Sequence, residues 1–267
     1  MPVTAHPDPN RGVFETLLVV GGRPIEVDAH LARLGASLRT LFDLELGDEA
    51  RKLVAEEAAS LDLGRVRVTA QPQRNGAIAL DAGAAEVDPA LVFPAAERAV
   101  ALRSAVMPGG LGAHKWADRS QLERLQAGFA GTDGTADVSA TASVEPEGES
   151  DEPVPLLLDR DEAVLEGSRA NLFAVRDGAL ATPRLDGRIL PGVARARVID
   201  VAQAAGIEVQ ETDLTRVDLL GGDEVFLSGS VRGVEPVRSL DGSELRPAGA
   251  ITRLVARELR RRWFAER

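Results

Sequence analysis

The stretch LEGSRANLFAVRDGALATPRLDGRILPGVARAR, residues 165–197, decides the fold. Two short apolar runs within it, Leu172–Val175 and Leu180–Thr182, have the length and the flanking turn residues of β-strands. A Pro-Gly pair follows, and then the spacing of apolar residues predicts a helix over Val193–Ala205. The alternation of short strands with a helix indicates a mixed α/β fold.

The start of this predicted helix is a candidate anion site. The first amides of a helix have no partner within it, so those of Val193 and Ala194 could point at a phosphate or carboxylate. Glu166 stands at the end of a preceding strand and is a candidate acidic partner. A Pro-Gly pair before a helix also serves as a plain start signal, and a glutamate after a strand also suits a solvated turn.

Lysine is rare in this chain, which contains 29 arginines but only Lys52 and Lys115. A guanidinium group cannot form a Schiff base, so any chemistry that needs an amine depends on one of these two side chains. Lys52 belongs to a charged amphipathic helix, where a solvated role is typical. Lys115 follows a glycine-rich segment and precedes a helix. It is the candidate for amine chemistry.

The remaining sequence predicts two units. Residues 1–112 are expected to form a smaller α+β domain, and residues 113–267 a larger one. A hairpin at Gly21-Gly22 should join the first two strands, and Asp28 should cap the helix that follows. Further strands are predicted at Arg65–Ala70, Ile78–Leu80, Leu91–Phe93, Ala99–Ser104, Leu156–Leu158, Ala163–Leu165, Ile207–Glu211, Glu224–Ser228 and Val234–Ser239, and further helices at Glu49–Leu61 and Ala248–Phe264.

Composition excludes several functions. The formal charge of −11 argues against a nucleic-acid partner, because phosphate backbones recruit basic surfaces. Cysteine is absent, which excludes thiolate catalysis and cysteine metal sites. No apolar run reaches the roughly 20 residues of a membrane-spanning helix, and the first residues lack a secretory signal. A cytoplasmic protein without membrane contact is expected. Residues 131–153, acidic and poor in apolar side chains, predict a flexible surface insertion.

Three blocks with fixed spacing carry a resemblance to a known family. They are Glu166-Gly-Ser-x-x-Asn171-Leu-Phe, then Leu180-x-Thr182, and then Leu190-x-Gly-Val-x-Arg195. The set resembles the signature of the class IV aminotransferases, the fold-type IV enzymes that use pyridoxal 5′-phosphate (PLP). Blocks in the rest of the chain, GVFETLLV, HLARL, KWADR and SGSVRGVEPV, extend the similarity over nearly all of it.

This resemblance implies a two-domain fold like that of D-amino acid aminotransferase, with PLP as cofactor. It implies that Lys115 carries PLP and moves the Cα proton, and that Glu166 faces the pyridine nitrogen. Arg33, the amides of Val193 and Ala194, and Ser230 resemble the phosphate site. Taken alone, Arg33 also suits a polar helix face, and Ser230 a turn. The implied substrate-facing loop comprises Gly229, Ser230, Val231 and Arg232.

The choice of substrate within the family is less defined. The absence of tyrosine removes the phenol that many relatives place beside the cofactor, and Ala194 replaces a common threonine. The blocks GAHKWADR and SVRGVEPV are most similar to 4-amino-4-deoxychorismate lyases. A transaminase of branched-chain or D-amino acids and a catalytically silent binding module are the alternatives. The resemblance also implies a small-molecule amino substrate and a homodimer.

Overall fold

The structure is a computed structural model that describes residues 7–130 and 152–265. Residues 131–151, nearly all of the predicted acidic insertion, lie outside this range. Within it the chain forms two β-sheets, one of four strands and one of nine, with helices against both. None of the described helices has the length and apolar character needed to cross a membrane.

The smaller sheet is antiparallel, with the strand order β2-β1-β3-β4. Helices α1 and α2 cover one of its faces, where leucine, valine and alanine side chains from both layers form a buried cluster. Strand β1 alternates, so that Val13, Leu17 and Val19 face these helices while Leu18 packs into a different cluster. The elements are β1 (Val13–Val20), β2 (Arg23–Pro24), α1 (Val27–Phe42), α2 (Glu49–Ala58), β3 (Leu63–Pro72) and β4 (Ile78–Glu86).

The larger sheet is mixed, with the order β10-β9-β8-β11-β12-β5-β6-β7 and β13 paired to β12. Its central strands are buried on both faces, which explains why their sequences read as continuous apolar runs. The strands are β5 (Val100–Val106), β6 (Val154–Leu158), β7 (Val164–Gly167), β8 (Asn171–Arg176), β9 (Ala179–Pro183), β10 (Val209–Thr212), β11 (Glu224–Gly229), β12 (Gly233–Leu240) and β13 (Ser243–Glu244).

Helices α4 and α6 pack against one face of the larger sheet. Phe173 and Phe226 stack at the centre of this layer with ring centroids 5.1 Å apart, and Trp263 of α6 is buried in the same cluster. This packing fixes the position at which α4 begins. The four later helices are α3 (Ser120–Ala130), α4 (Val193–Ala204), α5 (Arg216–Gly221) and α6 (Ala250–Phe264).

Strand β5 connects the two halves of the chain. It lies between β12 and β6 and runs parallel to both, so it belongs to the larger sheet although it precedes residue 112. The chain therefore passes from the smaller sheet to the larger sheet between β4 and β5. The division into domains 1–112 and 113–267 stays a prediction.

Two local predictions were wrong. Residues 91–93 form no strand, because Asp88 accepts a hydrogen bond from the Ala90 amide and starts a short 3₁₀-helix at Pro89. Asp28 does not cap α1, which begins at Val27 after Glu26 in a left-handed conformation. Asp28 lies in the first turn of that helix instead and pairs with Arg51.

Candidate active site

Lys115 lies between β5 and α3, where the chain passes the edge of the smaller sheet. Its carbonyl accepts a hydrogen bond from the Phe14 amide at 2.9 Å, and Trp116 forms a β-bridge with Val13. Its Nζ atom is 4.8 Å from the centroid of the Phe14 ring. The residue as a whole is partly accessible, but protein surrounds the amine, and this desolvation lowers the pKa of Lys115 to about 7.

Glu166 is buried at the end of β7. Its Oε2 atom accepts hydrogen bonds from the Leu190 amide and from Asn171 Nδ2, both at 3.2 Å. Burial raises the pKa of Glu166 to about 8, although the Leu190 amide and the positive charges of Lys115, Arg119 and Arg33 act in the opposite direction. Since the charge of Lys115 acts on Glu166, the lysine and the glutamate lie in one site.

The N-terminus of α4 lies next to Glu166. No side chain caps this helix at Gly192, so by helix geometry its first amides have no partner within the helix. Asn171 Nδ2 also donates to the Leu190 carbonyl at 2.9 Å, which fixes the chain just before the helix. A Cβ atom on Gly192 would lie only 1.9 Å from Asn171 Oδ1, so this close approach requires glycine.

Arg33 of α1 also reaches this helix start. Its Nη1 atom donates to the Pro191 carbonyl at 2.8 Å, and its Nε and Nη2 atoms donate to Glu15 at 2.7 and 2.8 Å. A guanidinium has five N–H donors, so two are unused by these bonds. Spare cationic donors beside free helix amides are suited to a phosphate, and the amine and carboxylate nearby are suited to the rest of PLP.

The turn after β11 is the third part of the site. Gly229 pairs with Gly233 across the turn, and Ser230 is partly accessible at its start. Val231 of the turn and Ala194 of the first turn of α4 belong to the same buried cluster, so both contribute to one core. Arg232 donates to Glu235 at 2.9 Å, and Arg169 donates to the same carboxylate at 3.1 Å. Arg232 is therefore held in an ion pair with Glu235. A contact between Arg232 and the substrate, as predicted, would have to form while this ion pair is kept.

The structure thus brings Lys115, Glu166 and Arg33 together, and Val231 of the 229–232 turn shares a buried cluster with α4. Sequence reasoning missed Glu15 and Arg119. Glu15 stands among apolar residues on the helix-facing side of β1, and a carboxylate at a core position was the available signal. Arg119 donates to the Ser168 carbonyl at 2.8 Å and has no comparable signal, because its contact depends on tertiary structure.

The two sheets and the site between them define a fold-type IV protein. A hypothetical aminotransferase from Mycobacterium tuberculosis, in its PLP-bound form, superposes with a TM-score of 0.79 over 98% of this chain and 94% of its own. At 23% sequence identity this likeness shows the fold alone. The family model of amino-transferase class IV matches residues 12–240, and the chain belongs to that family. The predicted family and fold class are confirmed.

Two further relatives differ in what they do. A branched-chain-amino-acid aminotransferase from Salmonella typhimurium is 43% identical over 90 residues, which is 34% of this chain and 29% of that relative. The 4-amino-4-deoxychorismate lyase from Pseudomonas aeruginosa is 26% identical, with a TM-score of 0.75 over 99% of this chain and 97% of its own.

Proposed function

We propose that this chain is a PLP-dependent enzyme whose Lys115 carries the cofactor. The observation that carries the proposal is a desolvated amine, Lys115, whose charge acts on a buried carboxylate, Glu166, beside a helix start that has free amides and Arg33. PLP is the cofactor of the class IV family to which the chain belongs.

When bound, PLP supplies an electron-withdrawing ring that stabilises negative charge at the amino carbon of the substrate. Lys115 acts as the base at that carbon, since an ammonium group with a pKa of about 7 is largely deprotonated in mildly alkaline solution. Glu166 receives the protonated ring nitrogen. A positive charge against this carboxylate lowers its pKa, so Glu166 is ionised in the bound state.

Arg33, the amides of Val193 and Ala194, and Ser230 bind the phosphate of PLP in this proposal. The support is that Arg33 already contacts the carbonyl just before α4 and that Val231 of the 229–232 turn shares a buried cluster with Ala194 of that helix. Gly229, Ser230, Val231 and Arg232 face the carboxylate of the amino substrate. The Arg232–Glu235 pair limits the freedom of this arginine, so backbone amides of the turn provide the main contact.

Within the family we propose 4-amino-4-deoxychorismate lyase activity, which releases 4-aminobenzoate and pyruvate. The support is the similarity of GAHKWADR and SVRGVEPV to that group and the full-length likeness to the Pseudomonas aeruginosa lyase. A transaminase is the second candidate, favoured by the local identity with the branched-chain enzyme. Both reactions start with proton removal at Cα, and in a lyase Lys115 need not return that proton to the cofactor carbon.

Product analysis tests the proposal. Protein with PLP should release 4-aminobenzoate from 4-amino-4-deoxychorismate, and an amino acid with 2-oxoglutarate should turn over at least about 100-fold more slowly. The reverse result establishes the transaminase. Lys115→Ala should lose the visible absorption band of lysine-bound PLP, while Lys52→Ala should keep it, because Lys52 lies on α2. If the unmodified protein also lacks the band, the chain is a silent binding module.

We further propose that the protein is a homodimer, as the resemblance to the family implies, and that it is cytoplasmic, as its composition suggests. Sedimentation at several protein concentrations checks the assembly. A single species with the mass of one 28.2 kDa chain at every concentration would contradict it.

A further inference from the structure

Glu15 is a buried carboxylate on an otherwise apolar surface. It is 1% exposed and lies on the face of β1 that packs against α1, among Val13, Leu17 and Val19. An ionised carboxylate at such a position is costly unless its oxygens are fully paired. A fold that needed only core packing at residue 15 would be satisfied by an apolar side chain.

The pairing of Glu15 is complete and is built from two residues one helical turn apart on α1. Oε1 accepts from Arg33 Nε at 2.7 Å, and Oε2 lies 2.8 Å from Arg33 Nη2 and 2.7 Å from His30 Nδ1. This two-pronged contact fixes the plane of the guanidinium as well as its position. Burial alone would raise the pKa of Glu15, but Arg33 and His30 lower it to about 2, so the carboxylate is ionised at neutral pH.

His30 also holds the Glu15 carboxylate in its contact with Arg33. Its side chain is 1% exposed, and desolvation lowers its pKa, so the neutral ring donates one hydrogen bond to Glu15. The carboxylate therefore cannot rotate away from Arg33 without losing this second partner. The edge of the guanidinium that Glu15 occupies is the Nε–Nη2 edge, which leaves the Nη1 atom to reach Pro191 at the start of α4.

We propose that Glu15 is a positioning residue of the cofactor site, which holds the guanidinium of Arg33 so that its two unused N–H groups serve the phosphate of PLP. This inference rests on the proposed function. It adds that the phosphate site depends on a side chain on the opposite face of β1 from the Phe14 ring beside Lys115.

Comparing two ligands in the Glu15→Gln variant tests the inference. The variant keeps the shape of the side chain but turns one acceptor into a donor against Arg33. We expect its affinity for PLP to fall about 10- to 100-fold, the range of one hydrogen bond to a charged group. Its affinity for pyridoxal, which has no phosphate, should fall clearly less, because the loss of the Glu15 charge then acts only through the Lys115 amine, which both ligands use. Absorbance titration of protein freed of cofactor measures both.

Glu224→Gln is the matched control. Glu224 is also a buried carboxylate, but its hydrogen bonds come from the amides of Ile251 and Thr252 at the start of α6. Its substitution should leave both affinities unchanged. If Glu15→Gln lowers the two affinities equally, or lowers neither, the inference is wrong.

Glu15→Asp serves if the first variant does not fold. It keeps the charge, but its shorter side chain cannot reach Arg33 and His30 together, so PLP binding should again fall more than pyridoxal binding. Equal effects on both ligands contradict the inference. If the unmodified protein itself binds neither ligand through Lys115, the proposed function fails, and this result is distinct from a failure of the Glu15 inference alone.

Discussion

Lys115 and Glu166 show how burial changes the chemistry of ordinary side chains. Desolvation lowers the pKa of Lys115 to about 7 and raises that of Glu166 to about 8, so both shifts favour the neutral form. A neutral amine is the form that attacks an aldehyde. The site is therefore prepared to capture PLP near neutral pH, which a solvated lysine is not.

The pH dependence of cofactor capture follows from this shift. The folded-state pKa of Lys115 is lowered, so the reactive free amine forms as pH rises through about 7 and not near the usual value of 10.5. We expect the rate of PLP capture by cofactor-free protein to rise about tenfold between pH 6 and 8 and then level off. Stopped-flow absorbance measures this rate. A rate still rising steeply above pH 9 would contradict the assignment.

Sequence was sufficient for some residues of the site and insufficient for others. Lys115 could be found because only one other amine side chain exists, and Glu166 because it belongs to a block of fixed spacing. Glu15 was missed, since its importance lies in contacts with His30 and Arg33 across two elements, and a strand pattern does not report a partner on another element.

Among the elements, the start of α4 depends on one close contact. Gly192 allows the Asn171 side chain to reach both Glu166 and the Leu190 carbonyl, so the helix start and the carboxylate are held by the same amide group. The backbone conformation of Gly192 is one that other residues adopt, and only the space beside it requires glycine.

Gly192→Ala tests this contact. The added Cβ atom should displace Asn171, weaken the hold on Glu166 and lower PLP affinity roughly tenfold. Gly128→Ala is the control, because a Cβ atom there meets nothing within 4 Å and alanine favours the α3 helix. Absorbance titration with PLP compares the two. Unchanged affinity in Gly192→Ala would show that Asn171 is not needed at this place.

Most elements could be predicted from the sequence, but not their partners. The alternation in β1 and the apolar runs of β8 and β11 are local signals, and the strands lie where these patterns occur. The pairing of β5 with β12 joins residues more than a hundred positions apart. No local pattern encodes such a pairing, so the sequence alone could not predict the sheet to which β5 belongs.

For the whole molecule, the burial of Glu166, which the site requires, lowers the free energy of unfolding. Because its pKa is raised, Glu166 in the folded protein without cofactor stays protonated up to about pH 8. In the unfolded protein it loses its proton near pH 4.5, so the two states differ in protonation between these values. Stability therefore falls as pH rises through this window, because folding must either keep the proton or bury a charge.

Glu166→Gln should remove this dependence. In cofactor-free protein we expect it to melt a few degrees above the unmodified protein at pH 8.5, with a smaller difference at pH 5. The same variant should bind PLP more weakly, since a neutral amide does not balance a cationic ring nitrogen. Thermal melts at the two pH values measure the effect, and Glu224→Gln should show no such gain. A melting difference independent of pH would contradict the raised pKa.

The hydrogen bond between the Phe14 amide and the Lys115 carbonyl, with the bridge from Val13 to Trp116, has a consequence for evolution. The peptide that carries the lysine is hydrogen-bonded to β1 of the smaller sheet. The strand that leads into it, β5, belongs to the larger sheet. If recombination between relatives exchanged only the first half of the chain, the segment around Lys115 would meet a strand β1 from another protein, with which its backbone contacts had not evolved. New substrate preferences are therefore more easily gained by substitutions near the contact between β1 and the Lys115 segment than by the transfer of a whole segment.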